Sequence, residues 1–395
     1  MVDAIIKFFS GVVVVGSRLK VGRMNHDVDG NNTPHICRPH QICDVCMHAA
    51  GSGSALTKGI SEMSVFGAII PPVLTTVYAL RSSALDLSGI LASWLVGVPT
   101  GYASHRMMLH LYLFFFSSSR ITRVGENIKK VLEGKEFKKG GGRNYIQVFS
   151  NGGWQTIIAC VYIYICRYWG SNRKGDNSIT RDAKERQMVI DSRNPFNSLA
   201  TKLQCMSLSA YACACGDTWA SELGILSTSK PILITQPWRF VAKGTNGGIS
   251  LIGTLASAGG GASIGLGHAI YDLLFIQKRK RTISRLNIFL STVIFGGTMG
   301  LAGSMIDSAL GALFQYSGSV EVLLNNGKTV VRRIVTNPNY PNNRHITGID
   351  VLSNHQVNLL SIVLTSFLGY YVAPFFFGVQ RKVDAEEDKV AGEVL

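Results

Sequence analysis

Apolar segments of similar length recur along the chain, with shorter polar stretches between them. Seven approach the length that crosses the hydrocarbon core of a bilayer, and most carry almost no ionised side chain. They are Val65–Leu80, Leu87–Tyr102, Trp154–Trp169, Leu199–Cys215, Gly248–Ile276, Ile288–Phe314 and Val357–Phe377. A soluble protein with very apolar core helices is the alternative, but seven such segments in one chain favour a membrane protein.

Small residues and helix breakers within these segments suit membrane helices. Pro71-Pro72 is tolerated where neighbouring helices satisfy the freed backbone groups, and Gly247–Gly267 and Gly296–Gly311 allow close helix packing. Between two apolar segments, Val320–Leu324 and Thr329–Val335 flank a turn and predict a β-hairpin. We therefore predict an all-α polytopic membrane protein, a bundle of about six to nine transmembrane helices with a small extramembrane β-hairpin.

Composition supports the membrane class, since only 16% of the 395 residues are charged and 46% are hydrophobic. The net charge of +15 is also compatible with nucleic-acid binding, but the basic residues concentrate between apolar segments. We interpret Arg120–Arg143 and Lys278–Arg285 as cytosolic loops and expect no nucleic-acid partner. Arg173–Lys202 is equally basic, so a strict alternation of seven spans does not accommodate every basic loop.

The first 60 residues differ from the rest and form a Cys/His-containing extension. Cys43 and Cys46 have the spacing that lets two thiolates share Zn²⁺, and Cys37 with a histidine completes four ligands. A disordered tail with free thiols is the alternative. Residues 61–380 then form the membrane domain and 381–395 a charged, disordered end. Without a recognisable transit signal, we expect an endomembrane location such as the endoplasmic reticulum.

Three polar motifs interrupt the apolar pattern. The first is Gly216–Gly224, where a kink at Gly216 would let Asp217 and Glu222 reach one Mg²⁺. The capped start of a helix is the competing interpretation. The second motif is Gly303–Gly311, which contains Asp307. Because an intramembrane carboxylate is costly, Asp307 is a second candidate, with a structural hydrogen bond as its alternative.

The third motif is a glycine-rich turn that opens an apolar helix, where backbone N–H groups and the helix dipole attract phosphate. We predict that it binds nucleotide phosphates. Its residues are Lys243, Gly244, Thr245, Asn246, Gly247 and Gly248.

These motifs, together with Phe116–Arg120, resemble the transmembrane protein 19 family, and the resemblance extends from about Leu85 to Phe377. It includes Gly142-Arg143-Asn144 and the stretch from Arg344-His345 to Asn358. The family-matched polar residues outside the three motifs are Ser118, Ser119, Arg143, Asn144 and Asn358.

That family is similar to the plant phytyl-phosphate kinase, although Asn246 stands here where the plant kinases carry an acidic residue. The resemblance implies a membrane lipid kinase that transfers a phosphoryl group from a nucleotide triphosphate to an isoprenoid phosphate. Mg²⁺ would be held by Asp217 with Glu222 and Asp307, and the prenyl tail would lie between helices. A transporter or channel and a non-catalytic membrane scaffold are the alternatives, and the oligomeric state is left open.

Overall fold

The structure is a computed structural model that describes residues 56–133, 141–165, 199–275, 282–323 and 330–393. The chain divides into two units, Met1–Cys37 and Arg38–Leu395, and every described residue belongs to the second. The predicted zinc ligands Cys37, Cys43 and Cys46 lie outside the described residues, so the zinc site stays a prediction.

The structure is mostly helical, with 73% of it in helices, and the described residues form nine of them. They are α1 (Leu56–Ser82), α2 (Leu87–Ala103), α3 (His105–Ile121), α4 (Glu126–Glu133), α5 (Tyr145–Ile163), α6 (Leu199–Gly224), α7 (Leu251–Phe275), α8 (Thr282–Phe314) and α9 (Asn354–Glu393). The last of these extends into the charged tail, so the predicted disordered end is wrong up to Glu393. Its Ala, Glu and Lys residues favour continuation of the helix.

Long-range contacts define two ends of this helical bundle. Arg106, near the start of α3, pairs with Asp272, near the end of α7. At the other end, α6 meets the last part of α8 through Asp217 and Ser304, and Ser361 near the start of α9 also bonds α8. We call the first the histidine end and the second the acid end, after the residues described below.

The end of α3 and the end of α7 lie at opposite ends of the bundle. Lys129 on α4, the helix that follows α3, pairs with Glu222 near the end of α6, at the acid end. Asp272, near the end of α7, lies at the histidine end. The stretches Arg120–Arg143 and Lys278–Arg285 both include residues outside those that the structure describes, so their cytosolic placement stays a prediction.

Glycines allow α6, α7 and α8 to approach one another closely. A Cβ on Gly216 would lie 2.7 Å from the carbonyl oxygen of Ser257 and 2.8 Å from that of Gly300. A Cβ on Gly261 would lie 2.3 Å from the carbonyl oxygen of Gly296. The predicted kink at Gly216 is wrong, since α6 continues through it and the glycine serves helix packing.

Two small antiparallel sheets lie in the segments that follow α6 and α8. The strands are β1 (Ile232–Leu233), β2 (Gln236–Phe240), β3 (Gly248–Ile249), β4 (Ser317–Leu323), β5 (Val330–Val335) and β6 (Arg344–Thr347). Pairing of β4 with β5 confirms the predicted hairpin, and β6 adds a third strand beside β4. The sheet of order β2-β1-β3 was not predicted, because its strands are short and two of them have only two residues.

Within the described residues, two helical stretches are by themselves long and apolar enough to cross a membrane, Arg285–Phe314 and Asn354–Phe377. The segment Leu87–Ala103 is a shorter apolar helix. A bundle of six to nine spans therefore stays a prediction.

Candidate functional site at the acid end

Two carboxylates from different helices come together at the acid end. The hydroxyl of Ser304 donates to Oδ1 of Asp217 at 3.3 Å, and the hydroxyl of Ser361 donates to Oδ2 of Asp307 at 3.0 Å. Since Ser304 and Asp307 are three positions apart on α8, they share one face of that helix. The predicted association of Asp217 with Asp307 agrees with this arrangement.

The acid pair, Asp217 and Asp307, is suited to a divalent cation. The two carboxylates are near enough to interact electrostatically, and like charges in a poorly hydrated place repel. Mg²⁺ accepts one or two carboxylates and completes its shell with water and phosphate oxygens. Among the described residues there is no cluster of three or more His, Cys, Asp or Glu side chains with metal-binding geometry. The pair therefore fits a cation shared with a phosphate ligand better than an all-protein metal cage.

Glu222 faces away from the acid pair. Its Oε2 atom accepts from Nζ of Lys129 at 2.6 Å, and Lys129 also donates to the carbonyl of Thr122 at 2.9 Å. Five positions on a helix rotate a side chain by about 140°, so Asp217 and Glu222 project in different directions once α6 is continuous. Glu222 thus pairs with Lys129, and the prediction that it binds a cation together with Asp217 stays a prediction. Lys129 was missed because the sequence of a basic loop does not show that its side chain is only 3% exposed.

Arg143 lies on the same side as Glu222. Its guanidinium donates to the hydroxyl of Ser119 at 3.1 Å and to that of Thr122 at 3.2 Å. Burial lowers the pKa of Arg143 from its ordinary value, and the nearby charge of Glu222 opposes that shift. Ser118 and Ser119 are both buried. These contacts make a second polar group, the Arg143–Glu222–Lys129 cluster.

Asn144 has a local structural role. Its side chain accepts from the backbone N–H of Gln147 at 3.1 Å, and the Gln147 side chain accepts from the Asn144 N–H at 3.2 Å. This capping box begins α5 and holds Arg143 in place. On α9, the backbone carbonyl of Asn358 accepts from the hydroxyl of Ser361, one turn away.

The predicted phosphate-binding turn packs against the end of α8. Gly244 and Gly247 have positive φ, and a Cβ on Gly247 would lie 2.4 Å from the Cβ of Ala312. Asn246 donates its backbone N–H to the hydroxyl of Ser317 at 3.1 Å. Since Ala312 follows Asp307 by five positions, the turn lies about 7 to 8 Å further along α8.

Three backbone N–H groups of the turn, those of Thr245, Asn246 and Gly248, form hydrogen bonds within the protein. Thr245 donates its N–H to the carbonyl of Ala242 at 3.2 Å, and Gly248 donates to that of Thr245 at 2.9 Å. Phosphate binding by Lys243 and the N–H groups of Gly244 and Gly247 stays a prediction.

Comparison with known proteins identifies the family. Residues 70–366 match the family described as integral membrane protein DUF92. The chain is 35% identical to Protein PGR of Arabidopsis thaliana over 315 residues, which cover 79% of this chain and 98% of the relative. It is 40% identical over 120 residues, 30% of this chain and 42% of the relative, to an uncharacterized membrane protein of Methanocaldococcus jannaschii. No solved structure matches. The chain belongs to the DUF92 family of integral membrane proteins.

Proposed function

We propose that the protein crosses the bilayer several times, with every helix except the short α4 as a span. The support comes from exposed apolar side chains that recur at helical spacing on five of the helices. They include Ile69, Val73, Val77 and Leu80 on α1, Leu87, Leu91 and Leu95 on α2, Ile157 and Val161 on α5, Ile270 and Leu274 on α7, and Leu360, Leu364, Phe367 and Tyr371 on α9. Lipid contact requires such outward-facing apolar stripes. For the location of the protein, we propose an endomembrane such as the endoplasmic reticulum.

At the acid end, we propose a lipid kinase that transfers a phosphoryl group from a nucleoside triphosphate to an isoprenoid monophosphate. The observation that carries this proposal is the acid pair on α6 and α8. Two carboxylates held by serine hydroxyls fit the small number of protein ligands that Mg²⁺ uses beside phosphates. When bound, the cation would neutralise charge on the transferred group.

The acceptor phosphate supplies the nucleophile in this reaction. Its second pKa is about 6, so one oxygen is largely ionised at neutral pH and needs no general base. That oxygen forms a bond to the γ-phosphorus, while the bond from γ-phosphorus to the leaving nucleoside diphosphate breaks. The protein's task is then to position both phosphates and balance their charge.

Basic groups near α6 supply that charge balance. Lys129 and Arg143 are the cations of the Arg143–Glu222–Lys129 cluster, which lies on another face of α6 at the acid end, and Lys243 lies on the turn packed against α8. Arg143 also lines a narrow, mostly apolar cleft with Val96, Met108 and Phe115. A prenyl tail that entered between these helices would place its phosphate near the guanidinium.

The test uses the full-length protein in nanodiscs with Mg²⁺, a panel of γ-labelled nucleoside triphosphates and prenyl monophosphates of several chain lengths. We expect label in a prenyl diphosphate, lost when Mg²⁺ is chelated and in Asp307→Asn. Ser304→Ala should retain activity at a reduced level, because the carboxylates remain. Absence of label with every nucleotide and acceptor would refute the kinase.

A transporter is the second candidate, favoured by buried ionisable groups at both ends of the bundle. It predicts flux of a polar solute into proteoliposomes without nucleotide, and loss of that flux in Asp307→Asn. Label transfer in one assay and solute flux in the other separate the two functions.

A further inference from the structure

A chain of ionisable side chains on α3 and α7 occupies the histidine end. Nε of Arg106 pairs with Oδ1 of Asp272 at 2.8 Å, and Oδ2 of Asp272 faces Nε2 of His268 at 3.4 Å. Nδ1 of His268 then meets Nε2 of His110 at 2.9 Å. The two imidazole rings are nearly parallel, with an interplanar angle of 18°. The chain therefore links α3 with α7 through consecutive polar contacts.

Other helices support this chain. The guanidinium of Arg106 donates to Oε1 of Gln204 on α6 at 2.8 Å, and Gln204 donates to the hydroxyl of Tyr162 on α5 at 3.0 Å. The titratable groups that face the chain from these elements are Tyr162 on α5, Cys205 and Tyr211 on α6 and Tyr271 on α7. Arg106 is thus anchored on two sides, which orients its partner Asp272.

The direction of the hydrogen bonds follows from Asp272. An ionised carboxylate accepts only, so Nε2 of His268 carries a proton and Nδ1 of His268 is an acceptor. Nε2 of His110 must then donate to that acceptor, which leaves Nδ1 of His110 with a free lone pair. Nδ1 of His110 is buried and has no hydrogen-bond partner among the described residues. The chain therefore ends at a basic nitrogen inside the bundle.

Burial increases along the same path. The side chain of Asp272 is 29% exposed, that of His268 is 13% exposed, and His110 is 0% exposed. Asp272 also lies within one turn of the end of α7, whereas His110 is more than one turn into α3. The chain thus joins the end of the bundle to its interior, and a purely structural ion pair between Arg106 and Asp272 needs neither histidine.

We propose that His110, His268 and Asp272 form a proton relay, which accepts a proton at Nδ1 of His110. When that nitrogen gains a proton from a hydronium ion, which becomes water, the Nε2 proton of His110 moves to Nδ1 of His268. The Nε2 proton of His268 then moves to the carboxylate of Asp272, which releases it at the bundle end. Each imidazole gains one proton and loses one, so both stay neutral, and the reverse sequence restores the starting tautomers.

The test measures how fast the ring protons of His110 and His268 exchange with solvent. The full-length protein, labelled with ¹⁵N-histidine, is placed in nanodiscs, and the two rings are identified by NMR through His110→Gln and His268→Gln. We expect His268→Gln to slow exchange at His110 by about tenfold or more, because burial otherwise protects that ring. His110→Gln should leave exchange at His268 unchanged, since His268 keeps its contact with Asp272.

His355→Gln, at the start of α9 in the acid end, is the matched control and should change neither rate. Equal exchange at His110 in the wild type and in His268→Gln would overturn the proposal. So would a wild-type ¹⁵N spectrum in which Nδ1, rather than Nε2, of His110 carries the proton. If His268→Gln does not fold, His268→Asn provides a smaller replacement for the same comparison, and the tautomer of wild-type His110 decides independently.

Discussion

The two ends of the bundle handle buried charge in opposite ways. At the histidine end, Asp272 is balanced by Arg106 within the same chain. At the acid end, Asp217 and Asp307 face each other, with serine hydroxyls as their described partners. The opposite charge of Arg106 offsets the cost of burying Asp272, whereas two neighbouring carboxylates need a proton or a cation to avoid repulsion. The histidine end therefore needs no ligand to compensate its buried charge, whereas the acid end is suited to a cation.

The largest expected effect is on activity at the acid end. Asp307→Asn should reduce prenyl-phosphate labelling by about 100-fold or more, because one ligand of the cation is lost. Its melting temperature without Mg²⁺ should stay the same or rise, since the repulsion with Asp217 disappears. Thermal unfolding with and without Mg²⁺ measures this. A Mg²⁺-dependent increase in melting temperature that persists in Asp307→Asn would contradict the site.

The next effect is on stability at the histidine end. Asp272→Asn should lower the free energy of unfolding by about 3 kcal/mol, because Arg106 then remains as an uncompensated buried charge. Denaturation of the purified protein measures the loss. The double variant with Arg106→Gln should lose less than the sum of the single variants. Strict additivity would show that the pair does not act as a unit.

Helix packing between the two ends provides a third prediction. Gly216→Ala should lower the free energy of unfolding by about 2 kcal/mol, since its Cβ would collide with the backbones of α7 and α8. Gly153→Ala on α5 is the matched control, because its Cβ would meet only the Phe149 side chain, at 3.8 Å. Similar losses in both variants would argue against close packing at Gly216.

The smallest effect concerns the Arg143–Glu222–Lys129 cluster. Glu222→Gln should lower the free energy of unfolding by about 1 kcal/mol, because Lys129 keeps the carbonyl of Thr122 and an amide oxygen as acceptors. The response of the melting temperature to Mg²⁺ should match the wild type, since Glu222 faces away from the acid pair. Loss of that response would return Glu222 to the cation site.

Membrane character and the acidic candidates were predictable from local sequence. A long apolar segment indicates that the helix faces lipid. A carboxylate within such a segment can be recognised from its position in the sequence alone. The hairpin of β4 and β5 was predictable for the same reason, since its alternation and turn lie within one short stretch. The role of Glu222 was not predictable from the sequence, because its partner Lys129 is 93 positions away.

The sequence by itself determined the membrane class and the positions of Asp217 and Asp307 as costly charges. Only the tertiary structure decided that these two meet, that Glu222 pairs elsewhere, and that His110 joins His268 across 158 positions. It also showed that α3 and α7 end at opposite ends of the bundle. The reason is physical: hydropathy is a property of each segment, whereas the pairing of charges depends on which helix faces pack together.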